Sequence, residues 1–225
     1  MARGGRLVCV RPRGCAINQP REFAENFAES YVPEDTVTLT ARIRAREVGA
    51  VPVSRAAGAV LRMLAAAVRA KAVVEVGTGT GVSGLWLLRG MRADGILTTI
   101  DIEAEHQRLA RKGFAEAGLA ASRTRIITGR ALDVLPRLAD GAYDLVLVDA
   151  DPTAYAQYVA EALRLLRAGG LLVLARALGE GGRVADPAAR DPESVALREV
   201  VKAVRDADEW IPALVHAGLL AAARR

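Results

Sequence analysis

Short apolar runs alternate with amphipathic segments along most of this chain, beginning near residue 72. Runs rich in Val, Ile and Leu predict β-strands, whereas apolar residues spaced three and four apart predict helices. The predicted strands cover residues 72–76, 96–100, 124–128, 143–148 and 171–174. The predicted helices begin near residues 35, 54, 83, 103, 153 and 191 and end near 48, 69, 89, 117, 167 and 207. Gly169-Gly170 is predicted to close the helix that ends near residue 167. From the first strand onward, this order predicts a repeating strand–helix unit.

Regular strand–helix alternation with short connections predicts a doubly wound parallel sheet with helices on both faces. Residues 143–148 are almost entirely apolar, as expected for a strand that is buried on both faces. Two short apolar stretches around Ala217-Gly218 predict a closing hairpin and an antiparallel last strand. The sequence thus predicts an α/β, Rossmann-like sheet of seven strands. We expect one domain over residues 26–225, preceded by a basic tail over residues 1–25.

The net charge of +5 is concentrated at the N-terminus, because residues 1–21 contain five arginines and no acid. Nucleic-acid-binding domains carry basic residues on the folded surface, often beside aromatics, which make up only 4% here. No apolar run approaches the roughly 18 residues of a membrane span. We therefore expect a solvated tail and neither a nucleic-acid nor a membrane partner; an acidic partner for the tail is the alternative. The two cysteines, Cys9 and Cys15, are compatible with a cytoplasmic location.

A glycine-rich turn, Gly77-Thr-Gly-Thr-Gly81, follows the first predicted strand. Open α/β sheets bind ligands at the carboxyl ends of their strands, and glycines let a ligand approach the backbone closely. Glu75 lies at the end of the first strand, and Asp101 ends the second. Asp101 is placed to accept the hydroxyls of a ribose, whereas Glu75 would attract an amine and repel a pyrophosphate. These acids favour S-adenosylmethionine (SAM) over a nicotinamide dinucleotide, although the glycine spacing alone fits both.

Four segments of the predicted domain carry a joint signature. They are Val74-Glu-Val-Gly-Thr-Gly-Thr-Gly-Val-Ser83, Leu97-Thr-Thr-Ile-Asp101, Gly129-Arg-Ala131 and Tyr143-Asp-Leu-Val-Leu-Val-Asp-Ala-Asp151. The combination resembles the cation-dependent O-methyltransferase family that includes catechol and caffeoyl-CoA O-methyltransferases. The resemblance extends from about Val48 to the C-terminus. It implies a class I methyltransferase fold, SAM as cofactor and, as in many family members, a homodimer.

The same resemblance implies which residues surround the cofactor. It places Asp101 on the ribose, Ala131 beside the adenine, and Asp149 between the cofactor and the acceptor. Around the methionine part of SAM it places Val53, Glu75, Gly77, Thr78 and Ser83. The full set of predicted cofactor-binding residues is Val53, Glu75, Gly77, Thr78, Gly79, Ser83, Asp101, Ile102, Arg130, Ala131 and Asp149.

The divalent-cation site of this family is not reproduced in the sequence. Family members have Asp-x-x-Lys at the fourth strand and Asp-Asn after the fifth; the cation lowers the pKa of the acceptor and the lysine acts as base. Here Pro152 takes the place of the lysine, and Ala175 and Arg176 take the places of two metal ligands. Asp149 alone cannot supply the oxygen cage that Mg²⁺ or Ca²⁺ needs, so we expect no metal site. The alternative is a site rebuilt from Glu180 and Asp151.

Without a metal, side chains of the protein must align the acceptor with the cofactor and stabilise the negative charge on its oxygen. Arg176 could hold a phenolate or carboxylate in two hydrogen bonds; pairing with an acid or pointing to solvent is the alternative. Asp149 and Asp151 are the candidate bases and Tyr155 is a third, although Asp151 is equally suited to cap the next helix. An ordinary aspartate, with a pKa near ~3.9, is a weak base toward a phenol, which favours an already acidic acceptor.

We therefore expect an O-methyltransferase that methylates a small-molecule acceptor without a divalent metal. The alternatives are a SAM-binding protein that has lost catalysis and a nicotinamide oxidoreductase. Residues 179–189, rich in Gly and Pro, predict a loop that shapes the acceptor pocket together with the N-terminal segment. For the remaining conspicuous side chains we expect His106 at the surface, His216 in a structural role, Trp86 between helix and sheet, and Trp210 in the core or at a dimer contact.

Overall fold

The structure, a computed structural model, describes residues 19–215 and 218–225. The predictions for the arginine-rich start of the chain, for Cys9 and Cys15, and for His216 concern residues outside this described part. Three helices precede the sheet: α1 (Gln19–Tyr31), α2 (Thr36–Glu47) and α3 (Arg55–Ala67). The predicted boundary at residue 25 falls inside α1, so the described fold begins with a helix that the sequence pattern did not predict.

Seven strands form one sheet. They are β1 (Ala72–Val76), β2 (Ile96–Asp101), β3 (Thr124–Thr128), β4 (Tyr143–Val148), β5 (Leu166–Leu174), β6 (Trp210–Val215) and β7 (Leu219–Arg224). Their order is β3-β2-β1-β4-β5-β7-β6. The first five strands are parallel, whereas β7 runs antiparallel to both β5 and β6. The predicted doubly wound sheet with an antiparallel last strand is confirmed.

Five further helices connect the strands. They are α4 (Val82–Gly90), α5 (Ala104–Glu116), α6 (Ala131–Val134), α7 (Tyr155–Leu165) and α8 (Pro192–Asp206). One hydrophobic core lies between the sheet and α7 and α8, and a second lies between the sheet and α3, α4 and α5. Among the described residues, no helix combines the length and the apolar character that crossing a bilayer requires.

Side-chain caps fix where several of these helices begin. Asp35 accepts a hydrogen bond from Thr38 N at 2.9 Å, and Ser54 accepts one from Ala57 N at 3.2 Å. Each cap satisfies a backbone N–H that the first helical turn leaves unpaired. Glu29 of α1 accepts a hydrogen bond from Arg55 N at 2.9 Å, at the first residue of α3. This contact ties α1 to the start of α3.

The fifth strand begins earlier than predicted. We expected a helix to residue 167 closed by Gly169-Gly170, but α7 ends at Leu165 and β5 begins at once. The β4–β5 pairing shifts register between Tyr143 and Leu145, where β5 advances from Leu166 to Leu171. Gly169, with φ +73°, makes this bulge sterically accessible. The glycine pair therefore belongs to a strand bulge, and its interpretation as a helix end was wrong.

Both tryptophans are buried. The Nε1 of Trp86 donates to Glu34 Oε1 at 3.2 Å, and a Cβ at Gly58 of α3 would lie 2.3 Å from that nitrogen. Trp86 thus packs closely against helix α3. The sequence predicted a contact of Trp86 with the sheet and did not predict this contact between helices. Trp210 is only 4% exposed and belongs to the hydrophobic core, which confirms the first of its two predicted positions.

Candidate cofactor and active site

A crevice opens at the carboxyl ends of β1, β2 and β4, where the strand order reverses direction along the chain. It consists of a first cavity of about 490 Å³ and a second of about 370 Å³. The two cavities share the residues Gly77, Asp101, Ile102, Ala150 and Asp151. They therefore form one continuous site for an elongated ligand.

The glycine turn brings the ends of β1 and β4 into direct contact. Asp149 N donates to Val76 O at 2.8 Å, and Gly77 N donates to Ile100 O at 2.8 Å. A Cβ at Gly77 would lie 1.9 Å from the carbonyl oxygen of Asp149, and Gly77 has φ +92°. Only glycine fits here, because any side chain would separate the strands that form the crevice floor.

Asp101 is fixed at the boundary between the two cavities. Its Oδ2 accepts a hydrogen bond from Gly79 N at 2.8 Å, and its Oδ1 accepts one from Glu103 N at 2.9 Å. Each carboxylate oxygen retains a lone pair after these bonds. Asp101 is therefore oriented by backbone donors while it can still accept ligand hydroxyls, as its predicted ribose-binding role requires.

His106 does not lie at the outer surface as we expected. Its side chain lines the second cavity, and its Nδ1 lies 3.5 Å from Asp101 Oδ2. The error came from treating all of α5 as remote from the strand ends. Its first turns in fact follow β2 directly and pass beside the glycine turn.

Glu75 lies beneath the crevice rather than along its wall. Its side chain is fully buried; Ser83 Oγ donates to Oε1 and Thr99 Oγ1 donates to Oε2, each at 2.6 Å. Burial raises the pKa of Glu75 to about 7, and the charges of Asp149 and Asp101 act in the same direction against the two hydrogen bonds. Glu75 can therefore act on a ligand through its charge, whereas it does not line either cavity.

The wall of the first cavity combines apolar and polar residues, which suits an adenine ring and a ribose. Ile102 and Ala131, both predicted, contribute apolar surface, and the predicted Arg130 lies at the side. Sequence reasoning missed Leu132, Gln157 and Tyr158 in this wall. The last two lie on α7, where their spacing carries no signal beyond that of an ordinary amphipathic helix.

Residues before α3 line the second cavity together with the glycine turn. Thr78, Gly79 and Ser83, which were predicted to bind the cofactor, lie there. Val53, also predicted, is instead 7% exposed and packs in the core; Val51 and Pro52 take its place in the wall.

Asp149 and Arg176 form an ion pair in the wall of the second cavity. Arg176 Nη2 lies 2.8 Å from Asp149 Oδ1, at ion-pair distance but without the alignment of a hydrogen bond. Burial raises the pKa of Asp149, and Arg176 opposes that shift. The Arg176 side chain keeps 44% of its surface exposed, so part of its guanidinium faces the open site.

The backbone of Arg176 is unusual. Its φ of +51° is a left-handed conformation that costs about 1–2 kcal/mol for most residues but less for asparagine. The cation-dependent O-methyltransferases that this chain resembles have asparagine at this position. The turn after β5 thus keeps a backbone suited to asparagine although the side chain is arginine. Such strain is concentrated at functional sites.

The other two candidate bases are occupied. Asp151 accepts hydrogen bonds from Thr153 N at 3.0 Å and Thr153 Oγ1 at 2.7 Å, which is the capping role we weighed against catalysis. Tyr155 is fully buried and donates to Ala175 O at 3.1 Å. Burial also raises its pKa above the ordinary range. Of the three candidates, Asp149 is the one that pairs with Arg176 in the wall of the second cavity.

These side chains do not fit a divalent cation. Ala175 offers no ligand and is fully buried, and Arg176 brings a positive charge to the Asp149 carboxylate. Among the described residues, no group of three or more His, Cys, Asp or Glu side chains is arranged to hold a metal ion. These residues therefore do not supply the oxygen cage that Mg²⁺ or Ca²⁺ needs.

The strand order and the crevice together define a class I SAM-dependent methyltransferase. Comparisons with known proteins agree with this class. Residues 27–216 match the sequence model of the O-methyltransferase family. A Mycobacterium tuberculosis protein assigned as an O-methyltransferase is 56% identical over 199 residues, which cover 88% of each chain.

Two solved structures are similar over nearly the whole chain. A Corynebacterium glutamicum protein is 34% identical with a TM-score of 0.84, covering 91% of this chain and 97% of its own. The O-methyltransferase TomG from Streptomyces achromogenes, involved in tomaymycin synthesis and solved with SAM, is 30% identical with a TM-score of 0.78. The match covers 93% of this chain and all of TomG.

This chain belongs to the O-methyltransferase family, and SAM is its cofactor. The predicted enzyme class is thereby confirmed. Nothing among these similarities supports the alternative of a protein that has lost catalysis.

Proposed function

We propose that this protein transfers the methyl group of SAM to an oxygen of a small acidic acceptor, with the Arg176–Asp149 pair in place of a divalent cation. The observation that carries the proposal is the 2.8 Å ion pair in the wall of the second cavity. In the cation-dependent O-methyltransferases, this position holds a divalent cation that binds the acceptor and lowers its pKa. A guanidinium supplies a permanent positive charge at the same place without any metal ligand.

Arg176 suits an acceptor that is already negative or easily becomes so. A guanidinium binds carboxylates and phenolates through two parallel hydrogen bonds, and only part of its donor set faces Asp149. Burial lowers the pKa of Arg176, but the interactions with Asp149, Tyr155 and Glu193 together outweigh burial, so its pKa is raised. Arg176 therefore stays charged at any physiological pH and lowers the cost of an oxyanion beside it.

Asp149 is the group in this site suited to take a proton. Because burial raises its pKa, Asp149 is a stronger base than an exposed aspartate would be. It still remains weak toward an ordinary phenol. An acceptor with an acidic hydroxyl matches both residues, whereas a carboxylate, which has no proton to lose, matches Arg176 alone.

The cofactor-binding side of the crevice orients SAM for the transfer. SAM supplies an electrophilic methyl group on a positively charged sulfur, and transfer needs donor and acceptor in line. We propose that Asp101 accepts the ribose hydroxyls, that Gly77 and Gly79 present backbone to the cofactor, and that Ile102 and Ala131 contact the adenine. The shared wall of the two cavities supports this arrangement.

The test is a methyl-transfer assay against a panel of acidic phenols, carboxylic acids and neutral phenols, with EDTA present. We expect acidic acceptors to react without metal. Arg176→Ala should lower kcat/KM for them roughly 10- to 100-fold, as expected for losing a hydrogen bond to a charged group. Arg183→Ala is the matched control, because Arg183 lies on the neighbouring turn and pairs with Asp191. Wild-type rates in Arg176→Ala, or strict dependence on Mg²⁺, would refute the proposal.

We further propose a homodimer in the cytoplasm, with residues 26–225 as the catalytic domain. The family resemblance supports the dimer, and α1 exposes Phe23, Phe27 and Tyr31, each at least 67% accessible, as apolar surface for association. Light scattering of wild type and Phe27→Ser tests the dimer. A monomer at micromolar concentration would contradict it.

A further inference from the structure

Glu75 is a buried carboxyl without a cationic partner in the described part of the chain. Its two oxygens receive only the hydroxyls of Ser83 and Thr99. A buried carboxylate normally needs a positive charge nearby or else takes up a proton. In this site, the missing positive charge is one that a ligand can bring.

A chain of hydrogen bonds connects Glu75 to α5. Thr99 Oγ1 donates to Glu75, and Thr78 Oγ1 lies 2.6 Å from Thr99 Oγ1. Because a hydroxyl has a single proton, Thr78 must be the donor to Thr99. Gln107 Nε2 in turn donates to Thr78 Oγ1 at 3.1 Å and to Ile127 O at 3.0 Å. Every donor in this relay points toward an ionised Glu75.

The relay can also run in the opposite direction. If Glu75 carried a proton on Oε2, it would donate to Thr99, Thr99 to Thr78, and Thr78 would need an acceptor on Gln107. Gln107 Oε1 is buried and has no hydrogen-bond partner in the present arrangement. Rotation of the Gln107 amide would offer this oxygen to Thr78. The network can thus follow either proton state of Glu75, but the protonated state gives up the hydrogen bond from Gln107 to Ile127 O and the ionised state keeps it.

We propose that Glu75 is partly protonated in the cofactor-free protein and releases its proton to solvent when SAM binds above it. SAM carries a sulfonium and an ammonium against one carboxylate, so its net charge is +1. Its demethylated product, S-adenosylhomocysteine, is neutral overall. Glu75 therefore holds the charged donor more strongly than the product, and the proton returns when the methyl group has left. The proposal rests on the assignment of SAM to this crevice.

Other charged groups face this position and must be separated from Glu75. Asp101 and Asp149 lie at the ends of β2 and β4, and both raise the pKa of Glu75. Arg176 pairs with Asp149, and His106 of α5 lies beside Asp101. A pKa of about 7 for Glu75 supports a proton exchange at neutral pH.

The experiment is titration calorimetry of SAM and of S-adenosylhomocysteine in buffers of different ionisation enthalpy, from pH 6 to 9. At pH 7 we expect SAM to release roughly half a proton more from wild type than from Glu75→Gln. The product should release less. Equal proton release by wild type and Glu75→Gln would overturn the proposal, because the proton would then come from another group or from the ligand.

A second pair of variants decides the question if Glu75→Gln does not fold. Thr99→Val removes a donor to the ionised carboxyl, so the pH profile of proton release should move upward by about one unit. Thr99→Ser should restore it. Thr98→Val is the control, since Thr98 is buried on the same strand but points to the opposite face. Identical profiles for Thr99→Val and Thr98→Val would overturn the proposal.

This outcome is independent of the acceptor chemistry. Proton release without methyl transfer to any tested acceptor would contradict the proposed function and support the role of Glu75. Metal-free methylation without proton release would support the proposed function and contradict the role of Glu75.

Discussion

Gly77 should be far less replaceable than its neighbour Gly79, although both have positive φ. An alanine Cβ at Gly77 would lie 1.9 Å from the carbonyl oxygen of Asp149, whereas at Gly79 it would meet nothing within 4 Å. Left-handed backbone costs an alanine about 1–2 kcal/mol at either position. Overpacking against a backbone carbonyl adds about 1–3 kcal/mol at Gly77 only.

Gly77→Ala should therefore lose about 2–5 kcal/mol of unfolding free energy, and Gly79→Ala about 1–2 kcal/mol. For a chain of this length these losses lower the Tm by roughly 4–20 °C and 2–8 °C. Chemical denaturation followed by circular dichroism, with thermal melts of the same samples, measures both. Equal losses in the two variants would show that the β1–β4 contact is not as tight as the structure has it.

Two further predictions concern buried positions. Glu75 has a folded pKa of about 7 against an ordinary 4.5, so the folded state binds more protons between these values, and stability falls as pH rises through that window. Glu75→Gln should lack this loss, which amounts to up to about 3 kcal/mol of unfolding free energy. Urea unfolding of wild type and variant at pH 5 and 8 measures it. An equal change in unfolding free energy between the two pH values in both proteins would refute the prediction. Gly58→Ala should cost about 1–3 kcal/mol, because its Cβ would meet the Trp86 indole at 2.3 Å; an unchanged Tm would contradict that contact.

The order of strands and helices could be predicted because each element carries its own signal. Strand β4 is apolar on both faces, and Ser54 and Asp35 cap the helices that they were predicted to begin. The bulge in β5 could not be predicted, since Gly169-Gly170 is equally suited to end a helix. Pairing with β4, a contact distant in sequence, decides between the two.

The site was predictable where backbone geometry and chemistry coincide. Gly77 and Asp101 lie at strand ends, where the sheet itself determines their position. Glu75 and His106 depend on side-chain direction, which spacing does not report: one points beneath the turn and the other into the second cavity. The hydrogen bonds of Gln107 depend on three separate elements and have no local signature.

The left-handed backbone at position 176 leaves a short mutational path between two kinds of chemistry. A single exchange of Arg176 for asparagine would relieve torsional strain rather than create it, and would free the carboxylate of Asp149 from its guanidinium. Metal use would also require a carboxylate in place of the buried Ala175, so at least two exchanges separate the two kinds of chemistry. The scaffold tolerates either solution for holding a negatively charged oxygen, and the difference between them lies in the side chains.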